Sequence, residues 1–240
     1  MPVALVTGAS RGLGLALARA LADRGSSLVI DARDPEALHR AELELGERTT
    51  VVALPGDVSD PAHRDELIGA VRKLGGLDVL VNNASLLGPS PQPPLVHYPL
   101  DVLERVYLVN VVAPLALVQL ALPMVQASMG RIINISSDAA VEPYEGWGGY
   151  GSSKAALEQL TRVLAIEHPE LRIYIADPGD LRTQMHQDAF PGEDISDRPL
   201  PDVAVPGLLE LIEGDRPSGR YQVQGTEDTE ATGATGARAS

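Results

Sequence analysis

The feature that most constrains this chain is a glycine-rich turn between an apolar run and a helical one. Residues 3–7 read as a short buried strand. They lead into Gly8-Ala9-Ser10-Arg11-Gly12-Leu13-Gly14, and a helical pattern then runs over 12–24. Glycine permits a tight turn and lets a ligand approach the backbone closely. A helix beginning at such a turn offers unpaired N–H groups and the positive end of its dipole. A strand, a glycine turn and a helix in this order fit the pyrophosphate of a dinucleotide better than a turn that merely packs a helix on a sheet.

The same alternation continues. Strand-like runs at 27–32, 50–54, 78–82, 131–136 and 172–176 are separated by helical patterns at 35–45, 61–74, 99–124 and 150–167. A last helix is expected over 201–213 and a last short strand over 220–223, and Ser59 or Asp60 caps the 61–74 helix. This order predicts one α/β domain over residues 1–225, an open and mostly parallel sheet of about seven strands with helices on both faces. Residues 226–240 lack an apolar period and are expected to form a flexible C-terminal tail.

The formal charge of −14 argues against nucleic acid or an anionic membrane as a main partner. No run is expected to serve as a membrane span of about 18 apolar residues. With no cysteine, thiol catalysis and Cys-metal sites are excluded, and His97 and His186 lack a ligand-like pattern, so no metal is expected. A cytoplasmic location fits these features.

Tyr150 and Lys154 lie four apart at the start of the 150–167 helix, which puts a phenol and an ammonium on one face. A nearby positive charge favours the phenolate and would make the tyrosine a better proton-transfer group. In the 99–124 segment, Pro114 has no N–H to give the carbonyl of Asn110, which is left open to another partner.

Several motifs in order resemble the classical short-chain dehydrogenase/reductase family. They are Thr7–Gly14 written as T-G-x-x-x-G-x-G, Asp57-Val58, Asn82-Asn83-Ala84, Asn110, Ser137 with Tyr150 and Lys154, and Pro178-Gly179 with Thr183. Ser137 stands thirteen positions before Tyr150. One departure is Ser85, where the family has a fourth-position glycine after N-N-A. The resemblance implies a Rossmann-type doubly wound fold and hydride transfer between a nicotinamide and a carbonyl or alcohol. It implies Tyr150 as general acid/base, Ser137 on the substrate oxygen, and Lys154 lowering the tyrosine's pKa and holding the nicotinamide ribose. The backbone carbonyl of Asn110 would hold a water linked to that lysine.

By the same resemblance the cofactor contacts are Gly8, Ser10, Arg11, Gly12, Leu13, Gly14, Arg33, Asp57, Val58, Asn83, Ala84, Tyr150, Lys154, Pro178, Gly179 and Thr183. The family's NAD-selecting Asp position is Ala32 here, and Arg33 follows it. Asp31 is one step early, so its side chain should leave the opposite strand face. NADP(H) is therefore expected over NAD(H). The resemblance also implies a homodimer or homotetramer. The substrate should meet 141–149, with Trp147 as a pocket wall or a core cover, and 184–199, which could close as a lid. The alternative to an enzyme is a catalytically silent NADP(H)-binding sensor or scaffold, disfavoured because Asn110, Ser137, Tyr150 and Lys154 are all present.

Overall fold

The computed structural model describes residues 1–224; the expected tail at 226–240 lies outside the described residues. The strands are β1 (Val3–Val6), β2 (Ser27–Ala32), β3 (Val51–Pro55), β4 (Val79–Asn82), β5 (Arg131–Ile135), β6 (Arg172–Asp177) and β7 (Gly219–Gln222). The helices are α1 (Gly12–Asp23), α2 (Pro35–Gly46), α3 (Pro61–Lys73), α4 (Leu100–Tyr107), α5 (Ala113–Ser128), α6 (Gly148–Glu167), α7 (Gln184–Ala189) and α8 (Val205–Glu213). Among the described residues the seven strands form one sheet in the order β3-β2-β1-β4-β5-β6-β7, every neighbouring pair parallel. The strand order reverses direction between β1 and β4, and the crevice of such a sheet lies there, beyond the strands' carboxyl ends.

Successive residues of a strand face opposite sides, which is why the sheet has two cores. Ala4, Val6, Leu28 and Ile30 pack with Leu17 and Leu21 of α1, Leu38 and Leu45 of α2, and Leu208 and Leu211 of α8. Val3, Leu5, Val29, Leu80 and Ile132 pack on the other face with Leu67 and Val71 of α3 and with Leu117, Val118 and Val125 of α5. Strands buried on both faces read as unbroken apolar runs, as β1 does. Asp34 caps α2 by accepting from the amides of Glu36 and Ala37, and Pro35 opens that helix. Asp60, rather than Ser59, takes the same role for α3, accepting from the Ala62 amide at 3.0 Å.

Two local results differ from the sequence reading. The 99–124 segment is not one α-helix: α4 and α5 are joined by a π-helix at Leu108–Val112, where the Ala113 N–H reaches back to the Leu108 carbonyl. A π-turn is the physical form of the opening that Pro114 creates. The whole helical stretch Leu100–Ser128 is also long and apolar enough to cross a membrane by length and composition, contrary to expectation. Half of that window is buried within this protein, as in the core helix of a packed sheet. The second difference is α7, a short helix inside a stretch that sequence reads as irregular; Thr183 caps it by accepting from the His186 amide at 3.2 Å.

Candidate active site

At the carboxyl ends of the strands a cavity of about 1180 Å³ runs from the glycine turn to the start of α6. One end is built by the turn after β1. Gly8 holds φ +67°, a left-handed conformation that disfavours side chains. Gly14 has no room for one: a Cβ would stand 2.5 Å from the Gly8 carbonyl oxygen and 2.5 Å from Asn83 Nδ2. Asn83 fixes this turn from β4's end, donating through Nδ2 to the carbonyls of Thr7 (2.8 Å) and Gly8 (3.1 Å). Thr7 Oγ1 in turn accepts from the amides of Asn83 and Ala84, both at 3.0 Å. No side chain caps the N-terminus of α1 and no acid occupies its first turn. Its amides therefore face the cavity beside Ser10, Arg11, Gly12 and Leu13.

Asp31 is the second anchor of the turn. Its Oδ1 accepts from the Gly8 amide at 2.8 Å and its backbone carbonyl accepts from the Ala9 amide at 2.9 Å. Its Oδ2 lies 3.2 Å from His63 Nε2 on α3. Both side chains are buried, at 1% and 5% exposure. Burial pushes the Asp31 carboxyl up, against the pull of its bonds from His63 and Gly8. The carboxylate is thus consumed by the protein's own groups, as its strand face predicts, while Arg33 stays exposed at the cavity's edge. Asp57 lines the same end and is held by Ser59, whose amide and hydroxyl donate at 2.9 and 2.7 Å, and by Arg105. Burial would raise its carboxyl, but Ser59, Arg105 and Arg33 together bring it below the ordinary value. Val58 and Ala84 complete this wall.

The other end of the cavity holds Ser137, Tyr150 and Lys154. Ser137 stands just past β5; its hydroxyl donates to Asp138 Oδ1 (2.9 Å) and accepts from the Ala139 amide (3.2 Å). Lys154 is buried and donates to the Ile135 carbonyl at 2.8 Å, with Nζ 5.5 Å from the centre of the Tyr150 ring. Burial lowers its pKa to about 8, against the attraction of Glu158. The Tyr150 phenol is pushed well above its ordinary value, first by burial and then by Asp177 and Asp138. Ser85 and Ser137 act against that rise as hydrogen-bonding neighbours. The Lys154 ammonium is bonded to a β5 carbonyl and stands over the Tyr150 ring. Pro178, Gly179 and Thr183 line the cavity between its two ends, and a Cβ on Gly12 would stand 3.6 Å from Thr183 Cγ2.

Of the residues singled out from sequence, Gly14 and Asn110 do not line the cavity. Gly14 acts through packing. Asn110 is fully buried behind the wall. Its Nδ2 donates to the Leu86 carbonyl (2.9 Å) and to Ser153 Oγ (3.0 Å), and its Oδ1 accepts from the Leu86 amide (2.8 Å) and Ser85 Oγ (3.2 Å). Ser153 also donates to the Tyr150 carbonyl at 2.6 Å. One side chain thereby ties the segment after β4 to the first turn of α6.

Sequence reading missed the ionic network behind the site, whose members do not line the cavity themselves apart from Ser136 and Ser137. Arg220 on β7 donates to Glu158 Oε1 (2.9 Å), to Asp177 Oδ2 (2.8 Å) and to the Ser137 carbonyl (3.3 Å). Glu158 also accepts from Ser136 Oγ at 2.7 Å and from Arg162 at 2.6 Å. Arg220 lies far in sequence from its three partners, and the network carries no motif. Trp147, left open between two roles, walls the cavity: its ring centre is 5.9 Å from those of Tyr150 and Phe190. Leu87, Met185 and Ala189 pack around it.

The residues present fit a dinucleotide. A turn that a Cβ would fill, uncapped helix amides and two exposed arginines stand at one end, and a buried lysine and two hydroxyls at the other. The short chain dehydrogenase family model matches residues 2–194. A benzil reductase that forms (S)-benzoin, from Saccharomyces cerevisiae, is 35% identical over 195 residues, covering 78% of this chain and 74% of its own. Sepiapterin reductase of Meriones unguiculatus is 38% identical over 200 residues, covering 77% and 76%. Among solved structures, a short chain dehydrogenase from Pseudomonas syringae superposes with a TM-score of 0.87 at 31% identity, over 93% of this chain and 94% of the other. An archaeal alcohol dehydrogenase from Thermococcus sibiricus, complexed with 5-hydroxy-NADP, gives 0.82 at 29% identity, over 96% and 100%.

Proposed function

Because this chain belongs to the short chain dehydrogenase family of oxidoreductases, we propose that it is an NADP(H)-dependent carbonyl reductase, with Tyr150 as proton donor. The observation that carries the proposal is that one cavity joins the glycine turn to Tyr150, Ser137 and Lys154. When bound, the reduced nicotinamide supplies the hydride.

Tyr150 gives its proton to the substrate oxygen, or takes one from it in the reverse direction. Ser137 turns its O–H from Asp138 to the same oxygen and steadies the charge that develops there. Lys154 holds the ribose hydroxyls and places a positive charge behind the tyrosine ring. Asn110 keeps the π-turn and the start of α6 in register. Gly8, Gly12 and the α1 amides take the pyrophosphate, with Arg11 and Arg33 on the 2′-phosphate. Ala32 in place of an acid and the exposed Arg33 support the NADP(H) preference, as do similar structures solved with 5-hydroxy-NADP and with NADP. Trp147, Leu87 and Met185 favour a substrate with an apolar group beside its carbonyl. Exposed apolar residues on the outer faces of two neighbouring helical segments, Leu108 and Val112 with Val163 and Ile166, support a homodimer or homotetramer; light scattering after size exclusion tests it.

The decisive experiment is Tyr150→Phe. Oxidation of NADPH with benzil as the test carbonyl, alongside a panel of aldehydes, ketones and quinones, is expected to stop while NADPH still quenches the Trp147 fluorescence. Full turnover in that variant removes the assignment.

A further inference from the structure

Ser85 occupies the place where the motif after β4 otherwise has glycine, and the proposed mechanism gives it no role. Its hydroxyl sits at the cavity wall, 3.2 Å from Asn110 Oδ1. That acceptor is already used by the Leu86 amide at the better distance of 2.8 Å. The bond from Ser85 to Asn110 is therefore long and shared, and a hydroxyl proton rotates at little cost. Asn110 is itself locked to Ser153, whose hydroxyl bonds the Tyr150 carbonyl. Ser85 is thus linked through Asn110 and Ser153 to the Tyr150 backbone, both residues line the same cavity, and its hydroxyl is a hydrogen-bonding neighbour of the phenol.

We propose that Ser85 is a third hydroxyl of the active centre, which turns its O–H from Asn110 Oδ1 to the Tyr150 oxygen when that oxygen loses its proton. The proposal rests on the reading of Tyr150 as proton donor. In reduction the hydride adds to the carbonyl carbon and the Tyr150 proton goes to the carbonyl oxygen, leaving a phenolate. Ser85 then supplies a hydrogen bond to that phenolate, with no bond broken at Ser85 itself. This offsets part of the burial that holds the phenol high. A glycine in this position would leave the phenolate with Ser137 alone, and Ser137 is already committed to the substrate oxygen.

The test is the titration of Tyr150 in NADP+-saturated protein, read from the ¹³Cζ resonance of labelled tyrosine and assigned by its loss in Tyr150→Phe. The charges facing Tyr150 are Lys154 on its own helix, Asp138 after β5 and Asp177 at the end of β6, and the variants leave all three in place. Ser85→Ala and Ser85→Gly are expected to raise the Tyr150 midpoint by about one pK unit, the scale of a hydrogen bond to a charged group. Ser85→Thr, which keeps the hydroxyl, is expected to return it. The acid limb of kcat for alcohol oxidation should move by the same amount, with NADP+ affinity unchanged.

An identical midpoint in the native protein and Ser85→Ala overturns the proposal. So does an acid limb of kcat for alcohol oxidation that stays in place in Ser85→Ala. Full turnover by Tyr150→Phe instead overturns the reading of Tyr150, whatever Ser85 does.

Discussion

Removing the His63 ring should unfold the glycine turn's support from beneath. His63 Nε2 is 3.2 Å from Asp31 Oδ2, and the pair is buried at 5% and 1% exposure. Taking the hydrogen-bond partner from a buried carboxylate costs about 3 kcal/mol or more, because the acceptor is left unsatisfied away from water. Asp31 keeps the Gly8 amide on its second oxygen, and its carboxyl is already raised by burial, so protonation gives partial relief. The lower end, about 3 kcal/mol at pH 7, is therefore expected for the hydrogen-bond part of His63→Ala. In a chain of this size that is a fall in Tm of about 6–12 °C.

The pH dependence has a definite sign. A carboxyl whose folded pKa is raised binds more protons folded than unfolded, so its contribution to stability falls as pH rises from its ordinary value of 3.8 through the raised one. The penalty of His63→Ala should accordingly shrink in mildly acidic buffer. The cavity left by the ring is separated from the charge by adding Asp31→Asn. The double variant removes the carboxylate and keeps an acceptor for Gly8, and should regain about 2 kcal/mol in urea melts. If the double variant is no more stable than His63→Ala, or the single loss stays below about 1 kcal/mol at pH 7, the pair does not hold the turn as described.

Other outcomes follow from the same geometry. Arg33→Ala should lower kcat/KM for NADPH by about 10–100-fold, the scale of one charge-assisted phosphate contact, and leave NADH unchanged; steady-state rates with both cofactors decide it. Burial lowers Lys154 to about 8 from its ordinary 10.5, so cofactor affinity measured by fluorescence should weaken as pH rises past about 8. The unfolded chain binds more protons than the folded one between about 8 and 10.5, so this lysine makes stability rise with pH across that window. The rise should vanish in Lys154→Met. Gly14→Ala places a Cβ 2.5 Å from the Gly8 carbonyl oxygen, a backbone atom that cannot yield cheaply. A loss of about 1–3 kcal/mol in denaturant melts is expected, with weakened NADPH binding by calorimetry.

Most of the fold could be read in the sequence because strands buried on both faces and helices with one apolar stripe carry their periods openly. Pro114 marked the opening beside Asn110 because a missing N–H is a local fact. Where the reading fell short, the cause was distance along the chain or a weak period. The α7 sequence Gln-Met-His-Gln-Asp-Ala has no sustained apolar face. His63 lies 32 positions after its partner Asp31, and Arg220 lies 62 after Glu158. The pairing of Tyr150 with Lys154 was visible as a spacing, but the direction of the ammonium was not. That direction is decided by the Ile135 carbonyl on a different element. Ser85 was visible only as a departure from the motif. Its meaning needed Asn110, 25 positions on, folded against it.

Arg220 also has a consequence in the order of synthesis. The guanidinium that joins Glu158, Asp177 and the Ser137 carbonyl is translated after every other member of that network. While the nascent chain still has β7 inside the ribosome, the two buried carboxylates have no common cation and the Ser137 backbone lacks its donor. On this order of synthesis the Arg220 network is completed only when β7 has emerged.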